Sequence, residues 1–200
     1  MSVKEQNMRL IAITGGIGSG KSVVARLVRV MGHEVYDCDS RAKALMTQSE
    51  EVRHQLVKAF GQKTFHNDGT LNRQHLSEVA FGDDKALTRL NTIVHPATAR
   101  DMQQWARNQA DSGAQVAFVE TALLRTAGLD RWVDEVWHVT APASVRIPRV
   151  MARSGLTEQQ VRERITAQSI EDVLAPGEHP IVNDDVTAIL PQVITLLNKH

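Results

Sequence analysis

The chain has 200 residues, of which 42% are hydrophobic and 23% charged, an ordinary balance for a single folded domain. Lys and Arg together number 23, as do Asp and Glu, and a net charge of zero argues against broad electrostatic binding to nucleic acid or to an anionic membrane. Cys38 is the only cysteine, which excludes an intrachain disulfide, and no apolar stretch approaches the roughly 18 residues of a membrane span. We therefore expect a cytoplasmic protein, monomeric or weakly oligomeric, with no membrane and no nucleic-acid partner.

The first residues, Met1 to Met8, are polar and do not resemble a signal peptide. Met8 is a candidate for the functional start, with residues 1–7 as a loose tail. The apolar run Leu10–Ile13 predicts a buried strand over 8–14, and apolar residues at spacings of three and four predict a helix over 21–31.

A glycine-rich loop joins this strand to this helix and fits the phosphate-binding pattern G-x-x-x-x-G-K-[ST]. Glycines let backbone N–H groups converge on phosphate oxygens, and the start of a helix favours an anion. Lys21 is expected to reach the β- and γ-phosphates, and the Ser22 hydroxyl to bind Mg²⁺. The alternative is a glycine-rich turn that matches by accident. The predicted ATP-binding residues are Gly15, Gly16, Ile17, Gly18, Ser19, Gly20, Lys21 and Ser22.

Two acids follow the short second strand, Glu34–Tyr36, and precede a predicted helix over 40–46. Asp39 is the candidate base that accepts a proton from an attacking hydroxyl, and Asp37 a candidate second acid or metal ligand. The alternative for both is capping of the strand end, with Asp39 as the N-cap of the helix that starts at Ser40.

From Glu50 to Ala110 the apolar pattern is mainly helical, with a turn at Asn67–Gly69. Such an interval exceeds a simple crossover, so we interpret about 49–113 as an inserted lobe. His95 near its end is expected to make a polar contact to substrate; the alternative is a structural hydrogen bond.

Apolar runs predict a third strand at Val116–Val119, ending at Glu120, and a fourth at 135–139. Strands alternating with helices predict a parallel sheet, in which ligands lie beyond the carboxyl ends of the strands. That rule brings the glycine loop, the acids after the second strand and Glu120 to one rim. Glu120 is a second candidate in the Mg²⁺ shell, or else a solvated strand end.

The last part of the chain predicts a helix over 143–153 kinked by Pro148, a helix over 157–169 with a Thr157…Gln160 capping box, a strand at 181–182 and a helix over 189–198 interrupted near Pro191. Arg149 and Arg153 share a helix face and are candidates for binding ATP and stabilising charge on its γ-phosphoryl group. The alternative is a solvated arginine face. We expect a lid at about 143–170.

These residues identify a resemblance to the dephospho-CoA kinase family along nearly the whole chain. The segments that carry it are Ile13–Ser22, Val35–Asp39 (similar to V-I-D-A-D), Asp68–Arg73 (D-G-x-L-x-R), Ile93–Pro96 (L-x-H-P), Arg149–Arg153 (R-x-x-x-R) and Gln168.

The resemblance implies an α/β fold, a P-loop kinase-like three-layer sandwich with a five-stranded parallel sheet, a helical CoA-binding lobe and a helical lid. The core would cover about 8–48 and 114–200. The implied reaction is ATP-dependent phosphorylation of the ribose 3′-hydroxyl of dephospho-CoA, with ATP and Mg²⁺ as cofactors. The implied catalytic residues are Asp39, Lys21 and Arg149, and the implied substrate-binding residues are Asp39, Lys43 and His95.

Several positions depart from the family pattern. Lys43 stands where the family often has Arg; it keeps the charge but loses bidentate phosphate recognition. In the segment similar to D-x-P-L-L-F-E the proline is Ala122 and the last acid is Thr126, and Pro180–Asp184 is a reduced form of A-D-x-V-I-D-N. Two further interpretations stay open: a nucleoside or nucleotide kinase of similar architecture, and a nucleotide-binding module without activity.

Overall fold

The computed structural model of the chain describes residues 8–81 and 83–199. Five strands form one sheet in the order β2-β3-β1-β4-β5, and the pairs β1–β3, β1–β4 and β4–β5 are parallel. The α/β fold with a five-stranded parallel sheet is thereby confirmed. The strands are β1 (Arg9–Thr14), β2 (Glu34–Asp37), β3 (Val116–Glu120), β4 (Glu135–Thr140) and β5 (His179–Val182).

The order of the strands determines where a ligand can bind. β1 lies between β3 and β4, so the chain leaves β1 toward one side of the sheet and later continues on the other. In open α/β sheets the crevice beyond the carboxyl ends at such a switch point is the ligand site. The loop that follows β1 is the glycine loop, and it therefore lies at this point.

The helices connect these strands. They are α1 (Lys21–Val30), α2 (Cys38–Gln48), α3 (Glu50–Phe60), α4 (Arg73–Phe81), α5 (Asp84–Asp111), α6 (Ala143–Ser154), α7 (Glu158–Ala167) and α8 (Ile189–Leu197). α5 is the longest, but no helix within residues 8–81 and 83–199 has the apolar stretch needed to cross a bilayer.

The chain divides into two compact units, each with its own core. The first comprises the described residues up to Tyr36 and from Trp105 onward, and the second comprises Asp37–Gln104. The core of the first unit lies between the sheet and its helices, where Phe118 and Trp137 meet edge to face at 5.0 Å. In the second unit the core is built mainly by α3, α4 and α5 and includes Val52, Leu56, Phe60, Leu76, Ala86 and Ala97. The assignment of a lobe to CoA and of a lid to 143–170 stays a prediction.

β1 is buried along nearly its whole length because it has strands on both sides and helices packed over it. α1 buries one face through Val24, Ala25 and Val28, which follow the predicted helical spacing. The short run Leu10–Ile13 is thus a central strand that leads directly into the glycine loop.

Three local expectations were wrong. Asp39 does not cap α2, because the capping side chain is Asp37, which accepts a hydrogen bond from the amide of Ser40. α8 is not interrupted at Pro191, which is the third residue of that helix, where its missing N–H would have had no intrahelical partner. His95 lies inside the long helix α5, followed by Pro96, and not at the end of the helical interval.

Two further expectations, a loose tail at residues 1–7 and a kink at Pro148, are not tested by the structure. The suggested tail, residues 1–7, lies outside the described residues. α6 runs unbroken from Ala143 to Ser154 with Pro148 inside it, and the predicted kink there stays a prediction.

Candidate active site

The glycine loop, Gly15–Ser22, turns the chain from β1 into α1. Gly20 is the N-cap of α1 and has a left-handed backbone, with φ of 94°. The first N–H groups of the helix have no intrahelical acceptor and are therefore available to an anion. The loop joins strand to helix in the way that a phosphate-binding loop requires.

Lys21 is the cation of this loop. Its ammonium donates to the carbonyl of Gly15 at 2.8 Å and to that of Gly16 at 3.2 Å. These bonds hold the charge over the loop, at the end where phosphates would be bound. Ser22, the next residue, is exposed at the start of α1.

Asn183, which follows β5, joins three parts of the site. Its amide nitrogen Nδ2 donates to the carbonyl of Ser19 at 2.8 Å, and its backbone N–H donates to that of Thr140 at 2.8 Å. Its own carbonyl and its side-chain oxygen accept from Arg149 at 3.1 and 3.2 Å. Asn183 lies in the segment Pro180–Asp184 noted in the sequence but was not predicted as a site residue, although its place just beyond a parallel strand puts it on the predicted rim.

The two arginines of α6 differ. Arg149 donates to the carbonyl of Gly18 at 3.4 Å and forms an ion pair with Asp185, so it lies against the glycine loop. Arg153, one turn later, is exposed. The structure therefore brings Arg149 to the loop and leaves Arg153 in solvent.

Glu120 ends β3, as expected. It is paired in register with Ile13 of β1, which precedes the glycine loop. Thr121 continues this pairing by donating from its N–H to the carbonyl of Ile13 at 3.1 Å. Glu120 is half-buried and lies on the strand beside the one that carries the loop.

Four predicted residues belong to the second unit: Asp37, Asp39, Lys43 and His95. Asp39 is exposed in the first turn of α2, and Lys43 is exposed four residues later, so the two lie on one face of that helix. Arg41 of the same helix forms two hydrogen bonds with the carboxylate of Asp101 on α5, at 2.8 and 2.9 Å. This pair fixes α2 against α5 within the unit.

Asp37 is engaged by its own helix. Its two carboxylate oxygens accept from the N–H of Ser40 at 3.1 Å and from the hydroxyl of Ser40 at 2.7 Å. The capping alternative is therefore the role that the structure shows for Asp37.

His95 is half-buried on α5. Burial lowers the pKa of its imidazole below the ordinary value of 6.5, because a low-dielectric surrounding disfavours the charged form. His95 is consequently neutral near pH 7, when its ring can both donate and accept a hydrogen bond.

Further side chains contact the glycine loop and were not predicted as site residues. Arg146 of α6 donates from Nε to the carbonyl of Ile17 at 2.7 Å, and Gln168 accepts from the N–H of Ile17 at 3.0 Å. Asp172 in turn binds Arg146 at 3.0 Å. Gln168 carries part of the family resemblance, but no local pattern in the sequence indicates that it or Arg146 reaches Ile17.

In the described ranges, 8–81 and 83–199, no group of three or more His, Cys, Asp or Glu side chains is arranged to hold a metal ion. The Ser22 hydroxyl at the start of α1 and the Glu120 carboxylate on the neighbouring strand β3 are oxygen groups of the kind that suits Mg²⁺. Magnesium at phosphate-transfer sites commonly takes only one or two protein ligands, with phosphates and water completing the shell.

Comparison with known proteins agrees with this geometry. The family model described as dephospho-CoA kinase matches residues 9–188. A dephospho-CoA kinase of Porphyromonas gingivalis is 38% identical over 192 residues, covering 95% of this chain and 93% of the relative. A dephospho-CoA kinase of Salinibacter ruber is 39% identical over 178 residues, covering 88% and 89%.

Solved structures give the same result for the fold. A protein of Thermus thermophilus superposes with a TM-score of 0.76 at 30% identity, covering 95% of this chain and 94% of the other. Dephospho-CoA kinase from Campylobacter jejuni has a TM-score of 0.71 at 19% identity, covering 95% and 96%, and supports the fold alone. With the family model matched over 9–188 and relatives of this identity along most of both chains, the chain belongs to the dephospho-CoA kinase family.

Proposed function

We propose that this protein transfers the γ-phosphoryl group of ATP to the ribose 3′-hydroxyl of dephospho-CoA, giving CoA and ADP in the cytoplasm. The observation that carries the proposal is the glycine loop with Lys21 and Arg149 at the switch point of the sheet, in a chain that matches the family over residues 9–188.

On the donor side, the amides at the start of α1 bind phosphate oxygens and Lys21 neutralises the β- and γ-phosphates. Lys21 then exchanges its bonds to Gly15 and Gly16 for bonds to phosphate. Arg149 supplies a second positive charge, held in place by Asn183 and Asp185. Phosphoryl transfer depends mainly on such positioning and charge neutralisation.

Mg²⁺ bound with ATP would reduce the negative charge on the phosphates. Ser22 is the proposed protein ligand, with Glu120 as a second carboxylate in its shell. Asp37 is the weaker choice, because both of its oxygens already accept hydrogen bonds from Ser40.

On the acceptor side, Asp39 is proposed as the base that takes the proton of the 3′-hydroxyl. Asp39 is exposed and makes neither cap nor ion pair within α2 that would restrain its carboxylate. Lys43 on the same face of α2 is proposed to contact a substrate phosphate, and neutral His95 to make a polar contact with substrate.

The direct test is CoA formation by the purified protein from dephospho-CoA, ATP and Mg²⁺, followed by chromatography of CoA and ADP. A panel of nucleosides and nucleotides at the same concentration serves as the control for acceptor choice. Turnover confined to dephospho-CoA supports the proposal. ATP binding without CoA formation rejects it, and turnover of a nucleoside instead assigns the smaller acceptor.

The first prediction concerns Asp39. Asp39→Asn removes the proton acceptor but keeps the shape of the side chain, so turnover should fall by at least about 100-fold. ATP affinity, measured by calorimetry, should stay as in the unchanged protein. Glu78→Gln, at an exposed carboxylate of α4 in the same unit, is the matched control and should keep full turnover. Equal turnover in Asp39→Asn would contradict the assigned base.

A further inference from the structure

Ile17, in the middle of the glycine loop, has both of its backbone polar groups taken by side chains from distant segments. Its carbonyl accepts from Arg146 Nε at 2.7 Å, and its N–H donates to Gln168 Oε1 at 3.0 Å. These groups belong to the two consecutive peptide units that flank Ile17, and because each unit is held by a side chain, neither can rotate freely to follow a ligand. The remaining amides of the loop are therefore presented from a fixed backbone.

The arginine that holds Ile17 is itself fixed. Arg146 is 7% exposed, and its Nη1 lies 3.0 Å from both carboxylate oxygens of Asp172. We call Arg146, Gln168 and Asp172 the loop clasp. Its members come from α6 and from the segment just after α7.

One nitrogen of the clasp has no partner. Arg146 Nη2 is buried and forms no hydrogen bond within residues 8–81 and 83–199. Leaving a buried guanidinium N–H unpaired costs free energy. Arg146 is therefore held in this place by its bonds to Ile17 and Asp172 despite that cost.

The clasp also explains the second glycine of the loop. A Cβ on Gly16 would overlap the Asp172 carboxylate and Arg146 Nη2. The backbone of Gly16 is not in the left-handed region, so another residue would not be strained there by φ alone. The pattern G-x-x-x-x-G-K-[ST] leaves this position open. Gly16 is thus required for the space that the clasp occupies.

We propose that the loop clasp is a positioning device for the phosphate donor: it holds Ile17 so that the loop binds ATP from a preformed backbone. Preorganised donors bind more tightly because the cost of ordering them is already met in the free protein. Arg146, Gln168 and Asp172 are positioning residues and act on ATP through Ile17. The inference rests on one part of the proposed function, the binding of ATP by the glycine loop, and not on the identity of the acceptor.

The test measures the dissociation constant for ATP with Mg²⁺ by calorimetry, without acceptor, for Arg146→Gln and Asp172→Asn. Each should weaken ATP binding by about tenfold, because Arg146→Gln removes the charged hydrogen bond to Ile17 and Asp172→Asn removes the charge that holds Arg146 in place. In steady-state kinetics KM for ATP should rise while KM for dephospho-CoA stays unchanged. Asp172→Asn keeps the shape of the side chain, so its ATP affinity tests the proposal even if Arg146→Gln does not fold.

The control for a general loss of stability is Arg9→Gln. Arg9 pairs with Glu135 at 3.5 Å at the amino end of β1, opposite to the loop and in the same unit. Arg9→Gln should leave ATP affinity unchanged. Equal weakening in Arg9→Gln and Arg146→Gln would overturn the proposal, because a structural role alone predicts that result.

Gly16→Ala probes the clasp without removing any of its polar groups. The added methyl group displaces Arg146 and Asp172, so Gly16→Ala should weaken ATP binding to the same degree as Arg146→Gln. The double variant that combines Gly16→Ala with Arg146→Gln should bind ATP no more weakly than either single variant, because both substitutions open the same clasp. The proposal would be overturned if the losses of ATP affinity of the two single variants multiplied in the double variant. Unchanged ATP affinity in Asp172→Asn would overturn it as well. Absence of CoA formation by the unchanged protein would reject the proposed function and leave this test intact.

Discussion

The side chains around the glycine loop bind mainly its carbonyl oxygens. Lys21 donates to Gly15 and Gly16, Asn183 to Ser19, Arg149 to Gly18 and Arg146 to Ile17. A loop that must aim its N–H groups at an anion turns its carbonyls away from that anion, where they require donors of their own. The surrounding Arg, Lys and Asn residues supply those donors.

His138 links the stability of the molecule to pH. It is 2% exposed on β4, and burial is the largest cause that lowers the pKa of its imidazole, against a smaller opposing effect of the Glu178 carboxylate at 3.4 Å. The unfolded chain therefore takes up the proton first as the pH falls below about 6.5. The contribution of neutral His138 to the free energy of unfolding is therefore complete above that pH, and it is lost as the pH falls below it.

The second prediction follows from this difference. His138→Gln should reduce the loss of stability between about pH 7.5 and 5.5, a window that follows from the ordinary pKa of histidine. Urea unfolding at the two pH values measures it. His33 and His95, whose pKa values are also lowered by burial, keep part of the slope. His54→Gln, at an exposed position on α3, is the control; an identical slope in both variants would contradict the role of His138.

At the scale of elements, the capping box of α7 was predicted correctly, whereas the interruption of α8 at Pro191 was not. The capping box of α7 is present: the Thr157 hydroxyl accepts from the N–H of Gln160, and Gln160 Oε1 accepts from the N–H of Thr157. Such a cap needs only residues three apart, so the sequence contains all of it. Pro191 was misread because its effect depends on its distance from the start of α8.

The third prediction tests this cap. Thr157→Ala should lower the free energy of unfolding by about 1 kcal/mol, because it removes the side-chain acceptor of the Gln160 N–H at the start of α7. Thr166→Ala is the matched control within the same helix, since its hydroxyl bonds only to the carbonyl of Arg162 one turn earlier. Urea denaturation of both variants gives the comparison. An equal loss of unfolding free energy in Thr157→Ala and Thr166→Ala would contradict a specific stabilising role of the cap.

At the scale of the whole molecule, Glu171 joins two segments that are far apart in the chain. It is fully buried, and its carboxylate accepts from the N–H of Arg125, the N–H of Thr126 and the hydroxyl of Thr126 at 2.8 to 3.3 Å. Arg125 also bonds to Glu178 at 2.5 Å. Thr126, which departs from the family pattern, thus has a structural partner in Glu171.

The fourth prediction concerns this buried acid. Glu171→Gln should destabilise the protein by about 3 kcal/mol, because it removes the charge opposite Arg125 and replaces an acceptor oxygen by a donor. Glu158→Gln, which breaks an exposed pair with Arg162, should cost about 0.5 kcal/mol or less. Thermal unfolding of both variants measures the contrast, and similar values would show that the buried carboxylate has no special weight.

The sequence by itself determined the nucleotide loop, the parallel α/β sheet and the family, because each depends on contiguous patterns: a glycine motif between an apolar strand and a helix, and apolar residues at helical or strand spacing. That Asp39 and Lys43 lie one helical turn apart was not predicted, because the predicted helix began only at Ser40, whereas α2 begins at Cys38. Only the tertiary structure decided what holds the loop. Arg146 and Asn183 lie 129 and 164 residues from the loop residues they bind. They reach it because β1 lies between β3 and β4, and strand order is a property of the packed sheet that no local stretch of sequence specifies.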